Sequence, residues 1–234
     1  EQVLAVLVFF QKNRMKSDRQ AIELVKAVAI QLGSLIQYKK AEAALKQANF
    51  ELERLATLDG LTQVANRRRL DTYLSQEWRR LAREQQPLSL ILCDVDYFKR
   101  YNDCYGHQCG DDCLKQVAKA MDRAVKRPAD LVARYGGEEF AVILPNTDTE
   151  GAVIVAQEIR AEIQQLKIPH ADSEVNQYIT LSLGISSIIP RLDLSPENLI
   201  AAADAALYEA KKQGRDRAVI SSVCIPAQKP IPET

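Results

Sequence analysis

Two short stretches of the chain carry side chains able to do chemistry. RYGGEEF, residues 134–140, sets two glycines directly before Glu138 and Glu139. LSLILCDVDYFK, residues 88–99, sets Asp94 and Asp96 at the end of an apolar run. Adjacent carboxylates at a turn repel each other, so the first stretch is either a hairpin with a solvated acidic tip or a site built to hold a cation. In the second, the two-residue period of a strand places Asp94 and Asp96 on one face with Val95 opposite; the alternative is a strand end reaching solvent. Were strand and hairpin neighbours, Glu138 or Glu139 would come beside Asp94. Three carboxylates at one corner call for a cation, and oxygen-only ligands without paired His or Cys suit Mg²⁺. Magnesium commonly keeps substrate phosphates in its shell, so a nucleoside triphosphate fits as partner. Gly136 and Gly137 permit positive φ and let backbone approach phosphate oxygens closely.

These groups need a scaffold to hold them. Periodicity predicts helices over about 66–85, 110–125, 149–166 and 196–213. It predicts strands over 88–95, 177–186 and 217–223, and a strand–turn–strand over 131–144. Mixed helices and strands with a central hairpin imply one α/β-type sandwich around a sheet. The helix from Asp111 shows Leu114, Val117, Ala118, Met121 and Val125, an apolar face assigned to the core.

Upstream, residues 4–10 (LAVLVFF) read as a buried strand and QKNRMKSDRQ as a loop. A helix begins at about Ser17, with Ser17 or Asp18 as N-cap, and runs without proline past Leu58. Tyr38, Ala41, Leu45, Ala48, Leu52 and Leu55 alternate in spacings of three and four, a coiled-coil seam. Such a helix either lies on its own domain or pairs in a two-stranded parallel coil joining modules in a dimer. Its length and Ala/Leu seam favour the coil.

Composition narrows the function classes. Of 234 residues, 47% are hydrophobic and 26% charged, as in a globular chain. Lys+Arg and Asp+Glu each number 31, so no global basic field draws nucleic acid or an anionic membrane. The run at 4–10 is too short to span a bilayer, and no membrane segment is expected in this stretch of chain. Opening at Glu1 rather than Met, the sequence reads as a piece of a longer protein. Of five cysteines, Cys104, Cys109 and Cys113 cluster without a CxxC pair; scattered reduced thiols of a cytosolic protein are the better reading than zinc.

RYGGEEF resembles the signature hairpin of the GGDEF domain, the diguanylate cyclase family, in its GGEEF form. DGLTQVANRR (59–68), CDVDYFKRYNDCYGHQCGDDCL (93–114), ITLSLGIS (179–186) and DAALYEAKKQGRDR (204–217) match in order, so the resemblance covers about 57–222. It implies an α+β fold with a ferredoxin-like core, akin to the palm of nucleotide cyclases and polymerases, behind a long N-terminal coiled-coil helix. It also implies condensation of two GTP into cyclic di-GMP and two pyrophosphates by a homodimer joined through the N-terminal helix, with Mg²⁺ or Mn²⁺ as cofactor.

On this resemblance Asp94, the Val95 carbonyl, Glu138 and Glu139 are metal ligands. Glu138 or Glu139 activates the hydroxyl, and Lys99 stabilises developing charge. Asp96 supports the fold near the site. Phe98 and Lys99 offer backbone N–H groups. Asn102, His107 and Asp111 match the guanine side; a carboxylate accepts from guanine N1–H and its exocyclic amine together, which adenine cannot offer. Gly136 and Gly137 face the triphosphate. Lys211 and Arg215, four apart and expected on one face of a helix end, reach it too.

Arg127 and Asp130 form RPAD, with five residues between Asp130 and Gly136, matching the RxxD site where product binds and inhibits. The N-terminal segment resembles the end of a GAF sensor domain. The expected division is a sensor remnant (1–16), a signalling helix (17–58), the cyclase domain (59–223) and a tail (224–234) in a bacterial cytosolic protein. Against the enzyme stand two rivals, a non-catalytic module sensing GTP or cyclic di-GMP and a dimerisation fragment silenced by truncation.

Overall fold

The structure, a computed structural model, describes residues 19–222. The strand at 4–10, the helix start at Ser17, the 1–16 sensor remnant and the 224–234 tail lie outside the described residues. The chain divides after Arg54 into two compact units.

The first unit is carried by helix α1 (Arg19–Thr57), 39 residues without a break. Tyr38 and Leu45 on its seam are 64% exposed, and Leu52 and Leu55 are 63% exposed. Its stretch Arg19–Ala48 is, by length and composition, apolar enough to cross a membrane. The expectation of no membrane segment weighed only the run at 4–10. Here Glu23 and Lys26, paired at 3.0 Å, interrupt a longer apolar series from Ile22 to Leu35.

The second unit runs α2 (Arg67–Glu84), β1 (Leu88–Val95), α3 (Phe98–Tyr105), α4 (His107–Ala124), β2 (Leu131–Gly136), β3 (Glu139–Pro145), α5 (Thr149–Leu166), β4 (Leu181–Ile188), α6 (Pro196–Lys212) and β5 (Ala218–Ile220). The sheet order is β2-β3-β1-β4-β5. β3 lies antiparallel between β1 and β2, and β4 is antiparallel to β1. This is the expected ferredoxin-like arrangement, with β5 added parallel to β4.

Every residue of β1 is buried, as befits the central strand of a sheet covered on both faces. Its odd positions Ile91, Cys93 and Val95 join the core under α4 and α5, with Val117, Met121 and Ile159. Leu88, Leu90 and Leu92 join the core under α2 and α6, with Leu74, Trp78 and Leu207. Asp94 continues the even series, so it belongs to the α2/α6 face, at the strand's end.

The segment 98–105, which lies between the predicted strand at 88–95 and the predicted helix at 110–125, is helical. FKRYNDCY is too short to show a period, and its N-cap Tyr97 adopts φ 55 with no side-chain cap, so neither usual signal is present. β4 lies at 181–188 rather than 177–186. Tyr178 and Ile179 extend the apolar run, but they bond back across the preceding loop, at the bridge to Pro169 and from Ile179 N–H to the Ile168 carbonyl.

Candidate active site

The hairpin and the β1 end do meet. Asp94 stands opposite Glu139 in the β1/β3 register, and the Val95 N–H reaches the Glu138 carbonyl at 3.4 Å. Directly opposed residues in an antiparallel pair share a face. Asp94 and Glu139 therefore lie on one side of the sheet.

The turn itself is Gly137-Glu138, and Gly137 takes φ 52, the left-handed conformation that glycine adopts without cost. A bulge between Arg134 and Gly136 sets Tyr135 outside the ladder. Such a bulge bends the strand and re-aims the residues beyond it.

Asp94 is only 8% exposed, and its Oδ2 receives Lys211 Nζ at 2.7 Å. Burial pushes its carboxyl up to about 6 against the pull of Lys211, with Glu138 and Asp96 adding to the rise. The expected convergence of three carboxylates is not what the side chains do. Among the described residues no three His, Cys, Asp or Glu side chains gather as a metal-binding group. Like charges gain nothing by closing on one another without a cation between them, and Asp94 takes an ammonium instead. The donor chemistry still fits a hard cation: the available groups are carboxylates and the Val95 carbonyl, and Asp94 already holds a positive charge.

Asp96 is buried and fully engaged. It accepts from Thr180 Oγ1 at 2.8 Å, Ser182 Oγ at 2.6 Å and the Asp216 N–H at 3.1 Å. It thus ties β1 to β4 and to the loop after α6, as expected of a supporting residue. That loop corrects one expectation. α6 ends at Lys212, and Arg215 sits beyond it with φ 61, so Lys211 and Arg215 do not share a helical face. Gly214 at φ 112 ends the helical path and sends the chain away from the axis. Arg215 is instead held by Tyr97, whose hydroxyl accepts from its Nη1 at 3.1 Å.

The first turn of α3 begins with Phe98, buried, and Lys99, exposed. Its leading N–H groups have no partner within the helix, which makes the terminus an anion-binding site in principle. Asn102 on α3 presents a buried Oδ1 with no hydrogen-bond partner. A Cβ at Gly110 would come within 1.8 Å of that oxygen, so only glycine leaves room for the amide. His107 is exposed on the first turn of α4, and Asp111 is half-buried one turn on. Arg127 donates to Thr147 Oγ1 at 2.8 Å and to the Pro145 carbonyl at 3.3 Å. Burial pushes the Asp130 carboxyl up while Arg127 opposes the rise, and its Oδ1 is buried without a partner.

Several supporting residues escaped the sequence reading. Asp59 accepts from Thr62 N–H at 2.8 Å, Thr62 Oγ1 at 2.7 Å and Arg134 Nη1 at 3.1 Å. Burial opposes its ionisation, but these bonds prevail and hold its carboxyl below the usual range. Arg134 also donates to the Gly137 carbonyl at 2.9 Å, so the signature turn is pinned to Asp59. The D-x-x-T spacing of a turn cap at 59–62 was the available signal; its long-range partner left none.

The family model described as diguanylate cyclase, GGDEF domain, matches residues 56–217. Diguanylate cyclase A of Treponema denticola is 34% identical over 92% of this chain and 56% of its own length. The response regulator PleD of Caulobacter vibrioides is 37% identical over 70% of this chain and 36% of its own. The chain therefore spans little more than half, or about a third, of these curated relatives. Among solved structures, the coiled coil and GGDEF domain of DgcB from Caulobacter crescentus, in complex with c-di-GMP, superposes with a TM-score of 0.71 and 32% identity, covering 81% of this chain and 98% of that one. A family model that matches most of the chain, joined to a shared fold and an intact signature hairpin, shows that this chain belongs to the diguanylate cyclase GGDEF-domain family.

Proposed function

We propose that the chain is the catalytic part of a diguanylate cyclase, joining two GTP into cyclic di-GMP with release of two pyrophosphates. The observation that carries this reading is the corner where Asp94 faces Glu139 across the sheet, with Lys211 already on Asp94. Each subunit of a homodimer binds one GTP. The 3′-hydroxyl oxygen of one nucleotide bonds to the α-phosphorus of the other, the bond to pyrophosphate breaks, and the hydroxyl proton passes to Glu138 or Glu139. Mg²⁺ or Mn²⁺, held by Asp94, the Val95 carbonyl, Glu138 and Glu139, would neutralise charge on the phosphates.

The remaining work belongs to the chain's own groups. The α3 N-terminus at Phe98 and Lys99, the Lys99 and Lys211 ammoniums and the Arg215 guanidinium bind the triphosphate. The glycines at 136 and 137 give it room. Asn102 and Asp111 read guanine with His107 beside them, and the orphaned Asn102 Oδ1 supports that role. Cyclic di-GMP binds as inhibitor at Arg127 and Asp130. The dimer forms through the helix of residues 17–58, which relays a signal from a GAF-like sensor to the domain at 59–223. The site works in the bacterial cytosol, where GTP is supplied.

Incubation of the purified chain with GTP and Mg²⁺ should yield cyclic di-GMP on chromatography, and Glu138→Ala should abolish it. A wild-type chain that binds GTP and forms no product would favour the non-catalytic sensing module instead.

A further inference from the structure

Tyr97 is an unusual residue to find before a helix. It is the N-cap of α3, yet it has φ 55 and caps nothing with its side chain. A bulky residue in the left-handed region costs free energy, so its surroundings must hold it there. They do so at both ends. At the backbone, its carbonyl accepts from the Tyr101 N–H at 3.0 Å and lies 3.2 Å from His170 Nε2. At the ring, Arg100 and Arg215 lie over the aromatic system, their guanidinium carbons 4.6 and 4.2 Å from its centroid.

The hydroxyl closes a relay. It accepts from Arg215 Nη1 at 3.1 Å and donates to Glu174 Oε2 at 3.1 Å, while Glu174 Oε1 accepts from Arg100 Nη1 at 2.8 Å. His170 and Glu174 both belong to the loop between α5 and β4. That one loop therefore steadies Tyr97 at its carbonyl and at its hydroxyl.

Arg215 needs such support. It lies past the end of α6, at φ 61, followed by Asp216 at φ 45. Among the described residues one of its five N–H donors is engaged, on the Tyr97 hydroxyl, and the others are placed to serve a ligand. A guanidinium fixed by one edge and one face loses less freedom when it binds an anion than a free arginine would.

We propose that Tyr97, backed by Glu174, is a positioning residue that preorganises Arg215 beside the N-terminus of α3 for the nucleoside triphosphate. This rests on the assignment of Arg215 to the triphosphate made above. The Tyr97 side chain touches no substrate in this account; it acts through Arg215.

The test is a double-mutant cycle on affinity for a non-hydrolysable GTP analogue with Mg²⁺, measured by calorimetry, together with kcat and KM for cyclisation. Tyr97→Phe keeps the ring and removes the hydroxyl. It should weaken analogue binding about three- to tenfold, the scale of one hydrogen bond, raise KM alike and leave kcat and the thermal midpoint nearly unchanged. In an Arg215→Ala background the same change should have no further effect. Wild-type affinity in Tyr97→Phe, or an equal loss in both backgrounds, overturns the proposal. Wild-type affinity in Arg215→Ala removes Arg215 from the triphosphate site and the proposal with it, while the cyclase reading stands or falls separately on the loss of product in Glu138→Ala.

Discussion

At the scale of single residues, this site is organised by contacts that leave specific gaps. Gly110 is one. Any side chain there meets the Asn102 amide, whose oxygen is the movable end of a flexible group. Gly110→Ala should therefore displace the amide at little cost to the fold and remove its proposed contact with guanine. We expect GTP affinity to fall about tenfold or more by calorimetry, with GTP and ATP bound more equally, as when a site loses a polar contact it was built to make. Asn102→Ala should reproduce the loss, and Gly110→Ala should add little to it. An undiminished preference for GTP in Gly110→Ala would break this account.

At the scale of elements, the sequence was legible where a period had room to repeat. The α5 range of 149–166 and the β1 range of 88–95 were read to the residue, because each presents a full apolar pattern between clear boundaries. α3 was not, since its eight residues begin on a left-handed tyrosine rather than a capping side chain. The site was legible as a set of residue types: Asp94, Asp96 and the GGEE turn lie at one end of the sheet as expected. What could not be read was the pairing. Nothing local says that Lys211 neutralises Asp94, that Arg134 anchors on Asp59, or that Arg215 leaves its helix for Tyr97, because each contact joins segments far apart in the chain.

The proposed inhibitory site belongs to this scale as well. Arg127, just beyond α4, donates to Thr147 and Pro145 at the end of β3. Cyclic di-GMP bound at Arg127 would engage a guanidinium that otherwise joins two element ends. Arg127→Ala should leave the initial rate of cyclisation within about twofold and abolish the slowing expected as product accumulates. Progress curves with added cyclic di-GMP would check it; unchanged inhibition removes Arg127 from the site.

At the scale of the whole molecule, α1 sets the question of how two copies meet. An exposed Leu45 and Leu52 on a seam of three- and four-residue spacing are what a partner helix would cover. Replacing both with Lys should convert the proposed dimer to monomer in sedimentation velocity, and should reduce cyclisation per chain at least about tenfold, since in the proposed reaction each product needs two nucleotides on two chains. The catalytic unit should keep its thermal midpoint. A double variant that stays dimeric and active would place the contact elsewhere.

Gly184 in β4 gives that arrangement its logic. A methyl group there would overlap the backbone of α6 at the Ala203 carbonyl and the Leu207 nitrogen, so helix and sheet touch main chain to main chain. Alanines 202, 203, 206 and 210 bury the same short-armed face. A joint packed this closely leaves α6 little room to slide or tilt, and Lys211 rides on it as on a bracket. The catalytic unit then behaves as one rigid half of a press, and in the proposed dimer a signal would switch the reaction by changing how two such halves are brought together.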